Sequence, residues 1–483
     1  MAHKFDYDLG IIGGGAAGLT AASGAARLGA RTLLAEKEEK LGGDCLHYGC
    51  VPSKTLIHTA KAMHTIKNSQ QYGLPMVDPG PVDYSLVRQR ILDVISTVQK
   101  HDSEERFCQL GAKVEFGTVS FVDEHSVLLD NQRVTAEKWL IATGSSPGIP
   151  DIPGLDKTSC ITNKEIFYLD HLPQSMIILG GGPIAVEMAQ AMNRLGTKVS
   201  MLQRSDQILS KEDRDLADEL LDILRAEGVD IHLGSSVLEV KDHGQQKQVI
   251  IKDFSGNEKK LSAETILVAL GRTPNTAGLD LENAGVEFGS RGIYVDERLR
   301  TSQKHIFAAG DITGDYQFTH AAGYEGGIVL ANAVFRLPRK VDYTFLPWCT
   351  YTDPELAGVG MNEKRAALAG IDYNVWIEEF SGNDRSLAMG NTAGKIKMVL
   401  DKKEKVMGVQ ILGPDAGELI NEWVAVLSGK VKLSTLASAV HPYPTLGEIN
   451  KRVAGSYLAP KIFSEKIKKG LKFFFSLKGR ACG

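Results

Sequence analysis

Cysteine is scarce in this chain, six residues in 483. So few thiols cannot build a small disulfide-stapled framework. Long apolar runs are also missing. No uninterrupted stretch approaches the roughly 20 residues needed to cross a bilayer as a helix. Met1 to Asp8 holds no apolar signal region, so a cytoplasmic location is expected. A basic excess is absent too: the net charge of -4 argues against a general nucleic-acid binder. What is present suits a globular protein, with 43% apolar and 24% charged residues. The length implies three or four domains of roughly 100–200 residues each. Glycine is the informative residue type, because its fifty copies cluster at identifiable turns.

Two of the few cysteines lie five positions apart in Gly42-Gly43-Asp44-Cys45-Leu46-His47-Tyr48-Gly49-Cys50-Val51-Pro52-Ser53-Lys54. Five residues of regular helix advance about 7.5 Å, whereas disulfide Cα atoms lie roughly 4.4–6.8 Å apart. A bond between Cys45 and Cys50 therefore needs a distorted turn, which the flanking glycines permit. Pro52 suits the first turn of a following helix. The positive end of that helix would stabilise a Cys50 thiolate. A bond that closes, opens and leaves a stabilised thiolate is a redox switch. The same residues have two other readings. A zinc site using Cys45, His47 and Cys50 would need a second ligand pair, and none follows at ligand spacing. A structural disulfide would be unusual in a cytosolic chain.

A dinucleotide fingerprint precedes this stretch. The apolar strand Asp8–Ile12 runs into Gly13-Gly14-Gly15-Ala16-Ala17-Gly18 and an Ala-rich helix, then a strand ending at Glu36. Gly13, Gly15 and Gly18 let backbone amides approach a pyrophosphate, and Glu36 can bind a ribose diol. The unit recurs at Met176–Leu179, with Gly180, Gly182 and Ala185 in the glycine positions. Glu36 lies 23 positions past Gly13, and the same offset from Gly180 lands on Gln203. One chain thus carries two dinucleotide sites that differ where the ribose is read. An acid repels a 2′-phosphate, whereas Gln203 does not and Arg204 can pair with one. The second site is read as favouring NADPH. NADH, with Arg204 a solvated charge at the strand end, is the alternative.

The rest of the chain divides accordingly. Residues 1–150 and 276–344 are assigned to the first nucleotide domain, 151–275 to the second and 345–483 to an α+β C-terminal domain. The fold class is α/β with two Rossmann-like domains. Leu86 to Gln109 reads as a long helix or helical hairpin, and Val114 to Leu129 as a small antiparallel sheet. The buried run His305–Asp311 ends in Gly310-Asp311, suited to hold a cofactor's ribityl or phosphate end.

With these motifs the chain resembles the class I pyridine nucleotide-disulfide oxidoreductases, the flavoprotein family of glutathione reductase, dihydrolipoyl dehydrogenase and mercuric reductase. The resemblance implies FAD in the first site, with Glu36 on its ribose and Asp311 near its ribityl-pyrophosphate part. Gly117, Thr143 and Gly144 would line the same cofactor, and Gly271-Arg272 belongs to the family pattern. NADPH (or NADH) would occupy the second site. Lys54, paired with Glu187, would lie near flavin N5. Cys50 would be the thiolate facing the flavin and Cys45 the thiol that exchanges with substrate. The C-terminal domain would form a homodimer.

The chain departs from the family near its end. Disulfide reductases usually carry His-Pro-Thr-x-x-Glu there, whose histidine moves the proton and is held by the glutamate. Here the stretch is His441-Pro442-Tyr443-Pro444-Thr445-Leu446-Gly447-Glu448, with Tyr443 in the histidine's place. Tyrosine there, together with Asn383–Ala388, is similar to the mercuric reductase branch. That branch ends in a cysteine pair, whereas this chain has only Cys482. The function expected is electron transfer from NAD(P)H through FAD and a Cys45–Cys50 disulfide to a small-molecule or protein disulfide, or a thiol-bound acceptor. Dithiol oxidation with NAD, as in dihydrolipoyl dehydrogenase, is the enzymatic alternative; a flavin-based redox sensor is the alternative of another class. No bound metal is expected. The tail from Lys461 carries seven Lys or Arg against one acid, Glu465, beside an apolar helical stripe. It is read as a basic helix docked on its own dimer, with a membrane surface as the sharper alternative.

Overall fold

The computed structural model describes residues 4–481. It divides into two compact units, each with its own core. The first runs from the N-terminus to Ser69, with Pro75–Ile208 and Leu224–Tyr343. The second comprises Gln70–Leu74, Leu209–Ile223 and the chain from Thr344 onward.

Two parallel sheets organise the first unit. In one, Tyr7–Ile12 lies between Thr32–Glu36 and Gln132–Ile141, parallel to both. Ile306–Ala308 adds to the far side of Gln132–Ile141, also in parallel. Tyr7–Ile12, Thr32–Glu36 and Ile306–Ala308 are largely buried, as expected for a parallel sheet covered on both faces. In the other, Ser175–Leu179 lies between Lys198–Leu202 and Thr265–Val268. The two sheets repeat one local device. A Cβ at Gly13 would come within 2.3 Å of the Ala142 carbonyl oxygen, and one at Gly180 within 2.4 Å of that of Ala269. Both residues have φ near the left-handed region's upper range, 110° and 119°. Only glycine fits a turn pressed so closely on the neighbouring strand.

One expectation is revised and another is narrowed. Ala112–Phe116 is not part of an antiparallel sheet; it pairs in parallel with Thr32–Glu36 at the edge of the main sheet. Only Val119–Asp123 and Ser126–Leu129 are antiparallel, continuing onto Gln132–Ile141. Alternating burial looks the same in a half-covered edge strand of either direction, so periodicity could not distinguish them. The Leu86–Gln109 stretch forms two helices, Tyr84–Gln99 and Glu104–Gln109, joined by one 3-10 turn. Ser103 caps the second by accepting from the Arg106 N–H.

The second unit is an antiparallel five-stranded sheet backed by helices, among them Ala416–Ser428 and Glu448–Ile462. Lys397 on its Lys395–Asp401 strand is 1% exposed. Its Nζ lies 3.0 Å from Asp213 and 2.7 Å from Asp215, and it also pairs with Glu363. Burial opposes the ammonium charge, but the three carboxylates outweigh it and hold the pKa above the ordinary lysine range. The ammonium therefore occupies the centre of what would otherwise be an acidic cluster. Lys397→Met should destabilise the folded protein by about 3–5 kcal/mol, because Asp213 would be left buried and unpaired. A urea melt checks this, and adding Asp213→Asn should recover part of the loss.

Candidate active site

The two cysteines sit on either side of a helix break. Gly43–His47 forms a short helix that stops at Tyr48, and Cys50–Lys67 begins after Gly49. Gly49 adopts φ −125°, ψ −113°, outside helical values. This is the distorted turn that the spacing required. Pro52 lies in the first turn of the second helix and is buried. The turn is held from outside by Tyr168, whose hydroxyl donates to the His47 carbonyl at 2.6 Å. Asn163 adds a donation to the Tyr48 carbonyl at 2.9 Å.

Both sulfurs are free thiols here, with Cys50 exposed and Cys45 partly buried. Cys50 is lowered to about 6, first because the Cys45 thiol donates a hydrogen bond to its sulfur. Desolvation by the surrounding protein acts against this, while the Thr319 hydroxyl, 3.3 Å away, and the Lys54 ammonium add to it. Cys45 moves the other way, since its proton serves that bond; burial and the negative Cys50 beside it act in the same sense. The pair thus separates into one thiolate and one thiol near neutral pH. Lys54 is itself anchored by a 2.9 Å ion pair with the buried Glu187, on the Pro183–Leu195 helix.

The first nucleotide fingerprint has the shape a dinucleotide needs. Glu36 accepts from the Gly14 N–H at 2.6 Å, at the end of its buried strand. The Ala16–Arg27 helix has no side-chain cap at its N-terminus, leaving amides for an anion. A Cβ at Gly15 or Gly144 would meet nothing within 4 Å, so the approach over both is open. At Gly18 a Cβ would fall 1.9 Å from the Gly13 oxygen, which fixes how closely the helix packs. Gly117 follows directly, its N–H donating to the Glu36 carbonyl at 2.8 Å. Thr143 and Asn275 exchange two hydrogen bonds, at 3.0 and 2.8 Å.

A charged network completes the first site, and sequence reasoning missed its centre. Arg272 donates to Ser145 Oγ at 2.7 Å and pairs with Asp44 at 3.2 Å and Asp311 at 3.6 Å. Ser145 in turn donates to Asp311 at 2.5 Å. Burial pushes the Asp311 carboxyl up, with Ser145 and Arg272 opposing. The Gly310 N–H is held by the buried Glu325 at 2.6 Å. Arg272 follows the Gly271 motif directly, so its position was visible, but its acidic partners lie far away in sequence. Thr319 was missed because nothing local marks it.

The second fingerprint mirrors the first with altered chemistry. Its Pro183–Leu195 helix also lacks a side-chain cap, and the space over Gly182 and Gly271 is open. Ala185, fully buried, stands where the first unit has the tightly packed Gly18. Gln203 lies against Gly181 but donates to Ser205 at 2.6 Å and to the Gln207 carbonyl at 3.1 Å. Arg204 is exposed and, among the described residues, makes no ion pair. The chain's own groups therefore fit a dinucleotide at each fingerprint.

In the second unit, Tyr443 is 71% exposed and donates to Asp384 at 2.9 Å. That hydrogen bond, then the carboxylate's charge, raises the Tyr443 pKa further. His441 does not meet Glu448; its Nε2 faces Glu422 Oε1 at 2.9 Å. Asn450 holds the other Glu422 oxygen at 2.9 Å. Glu448 accepts from the Thr445 N–H at 3.4 Å, at the start of its own helix. Cys482 lies outside the described residues. In the reduced protein, the rate of Cys50 alkylation by iodoacetamide should rise with pH through an inflection near 6. Above that pH the sulfur is the reactive thiolate. Cys45→Ala should move the inflection up toward the ordinary range near 8.5, and Thr319→Val should move it less far.

Comparison with known proteins agrees with this geometry. Residues 7–326 match the family model described as pyridine nucleotide-disulphide oxidoreductase, and residues 346–454 match that family's dimerisation domain. The mercuric reductase of Staphylococcus aureus is 32% identical over 466 residues, covering 96% of this chain and 84% of that protein. A dihydrolipoyl dehydrogenase of Bacillus subtilis is 35% identical over 448 residues, covering 91% and 96%. Among solved structures, the HOCl-induced flavoprotein disulfide reductase RclA from Escherichia coli superposes with a TM-score of 0.83 at 31% identity, over 93% of this chain and 99% of that one. The chain belongs to the pyridine nucleotide-disulphide oxidoreductases, flavoprotein enzymes that use FAD and NAD(P)H.

Proposed function

We propose that this enzyme reduces a disulfide or thiol-bound acceptor with electrons from NADPH, relayed by FAD and then by Cys45 and Cys50. The observation that carries the reading is the placement of two free thiols on either side of a helix break, beside the anchored Lys54. FAD, when bound, supplies the two-electron link between nicotinamide and sulfur. Glu36 would hold its ribose, and Asp311, Gly117, Thr143 and Gly144 would line it.

The sulfur chemistry then follows from the residues. Two electrons and one proton open the Cys45–Cys50 disulfide to a Cys50 thiolate and a Cys45 thiol. Cys45 gives its proton to a base and its sulfur attacks the acceptor disulfide. That S–S bond breaks, and the first acceptor thiolate leaves and takes a proton. Cys50 next attacks Cys45 within the mixed disulfide, restoring the internal bond and expelling the second thiolate.

His441, oriented by Glu422, is the group we assign to proton transfer. Tyr443 keeps its proton near neutral pH and serves as a hydrogen-bond donor, since Asp384 disfavours its ionisation. The His441–Glu422 pair also suits the opposite direction, dithiol oxidation as named for the dihydrolipoyl dehydrogenase relatives. Gln203 and the exposed Arg204 favour NADPH over NAD and so support reductase operation.

Cys45→Ser should leave flavin reduction by NADPH intact while abolishing acceptor turnover, as read by anaerobic titration and steady-state assay. Equal turnover with and without Cys45 would sink the relay. Arg204→Gln should raise KM for NADPH about 10-fold or more, the worth of a charge-assisted hydrogen bond, and leave KM for NADH within about twofold. If neither changes, Arg204 does not read the 2′-phosphate.

A further inference from the structure

The Glu465–Phe475 helix near the C-terminus buries none of its residues. Ile467, Leu471 and Phe474 recur at the i, i+4, i+7 spacing of one helical face, 43%, 41% and 77% exposed. Lys468 and Lys472 border that face on one side and Lys466 on the other. Its single acid, Glu465, is spent on Lys468 at 2.8 Å. No helix of the described residues is long and apolar enough to cross a membrane. We propose that this helix is an interfacial anchor that lays the enzyme on an anionic lipid bilayer.

The choice of occupant rests on three features. First, the basic residues form a rim around the apolar face, complementary to acidic headgroups, and Lys478 and Arg480 extend the charge past the helix end. Second, Phe473, Phe474 and Phe475 are consecutive and 82%, 77% and 69% exposed. Successive residues turn by about 100°, so the three rings surround the helix end. A groove on a protein covers one stripe, whereas lipid covers an inserted end from all sides. Third, the helix lies beyond the stretch that matches the dimerisation domain, which stops at residue 454. The family's dimer contact therefore does not call for it. The break at Phe463-Ser464 separates it from the preceding helix, which ends at Ile462.

The test is cosedimentation of the flavin-loaded enzyme with phosphatidylglycerol vesicles or with phosphatidylcholine vesicles. The enzyme should pellet with the first and not the second, and should be released as salt rises from 0.1 to about 0.5 M, where the screening length falls well below 10 Å. Leu471→Glu with Phe474→Glu should lower the bound fraction at least ~10-fold with dimer size and flavin absorbance unchanged. Charge reversal at Lys468, Lys469 and Lys472 should do the same. Three outcomes would overturn the proposal: an intact enzyme that stays in solution with the anionic vesicles, variants that bind as well as the parent, or variants that split the dimer, which would place the helix on the partner subunit.

Discussion

The juxtaposition of Cys45 and Cys50 across a helix break is the constraint on which the redox site depends. It arises only because the chain stops one helix at Tyr48 and starts another at Cys50. A continuous helix would carry the two sulfurs apart along and around its axis. With the two thiols coupled, a single proton is held unequally, and the helix N-terminus, Thr319 and Lys54 all favour the charge on Cys50. Tyr168 and Asn163 tie down the carbonyls of His47 and Tyr48, so the break is maintained by packing as well as by glycine.

The rest of the first unit brings charge to this turn from several directions. Lys54 is fixed by Glu187 from the second nucleotide sheet. Asp44 is fixed by Arg272, which also meets Asp311 and Ser145. One side of the motif is therefore tied to the helix of the second fingerprint and the other to the strand end that closes the first. Such cross-links between partly buried charges are individually modest but directional. They set the orientation of the redox turn relative to both fingerprints.

The two fingerprints show how one device is retuned. Each has a glycine pressed on a neighbouring carbonyl and an uncapped helix start. They differ at the strand end, where Glu36 binds a backbone amide of its own glycine turn and Gln203 turns away to Ser205 and Gln207. They differ also in residue type at the last fingerprint position, Gly18 in the first and the buried Ala185 in the second. A change of one acid to an amide thus alters the charge of a site without altering its topology.

The sequence by itself determined the features that act within a few residues: the glycine turns, the strand–helix–strand order of both nucleotide units, the helix starting at Cys50, and the amphipathic tail helix. These depend on backbone freedom and short-range periodicity, which local residue types control. Lys54 with Glu187 was legible through family likeness. What tertiary structure alone decided was pairing over distance. Ala112–Phe116 took a parallel edge, Glu422 rather than Glu448 met His441, Asp384 met Tyr443, and Thr319 and Arg272 entered the site. Strand direction and side-chain partnership arise from where remote segments are packed, and no local pattern of residues encodes that placement.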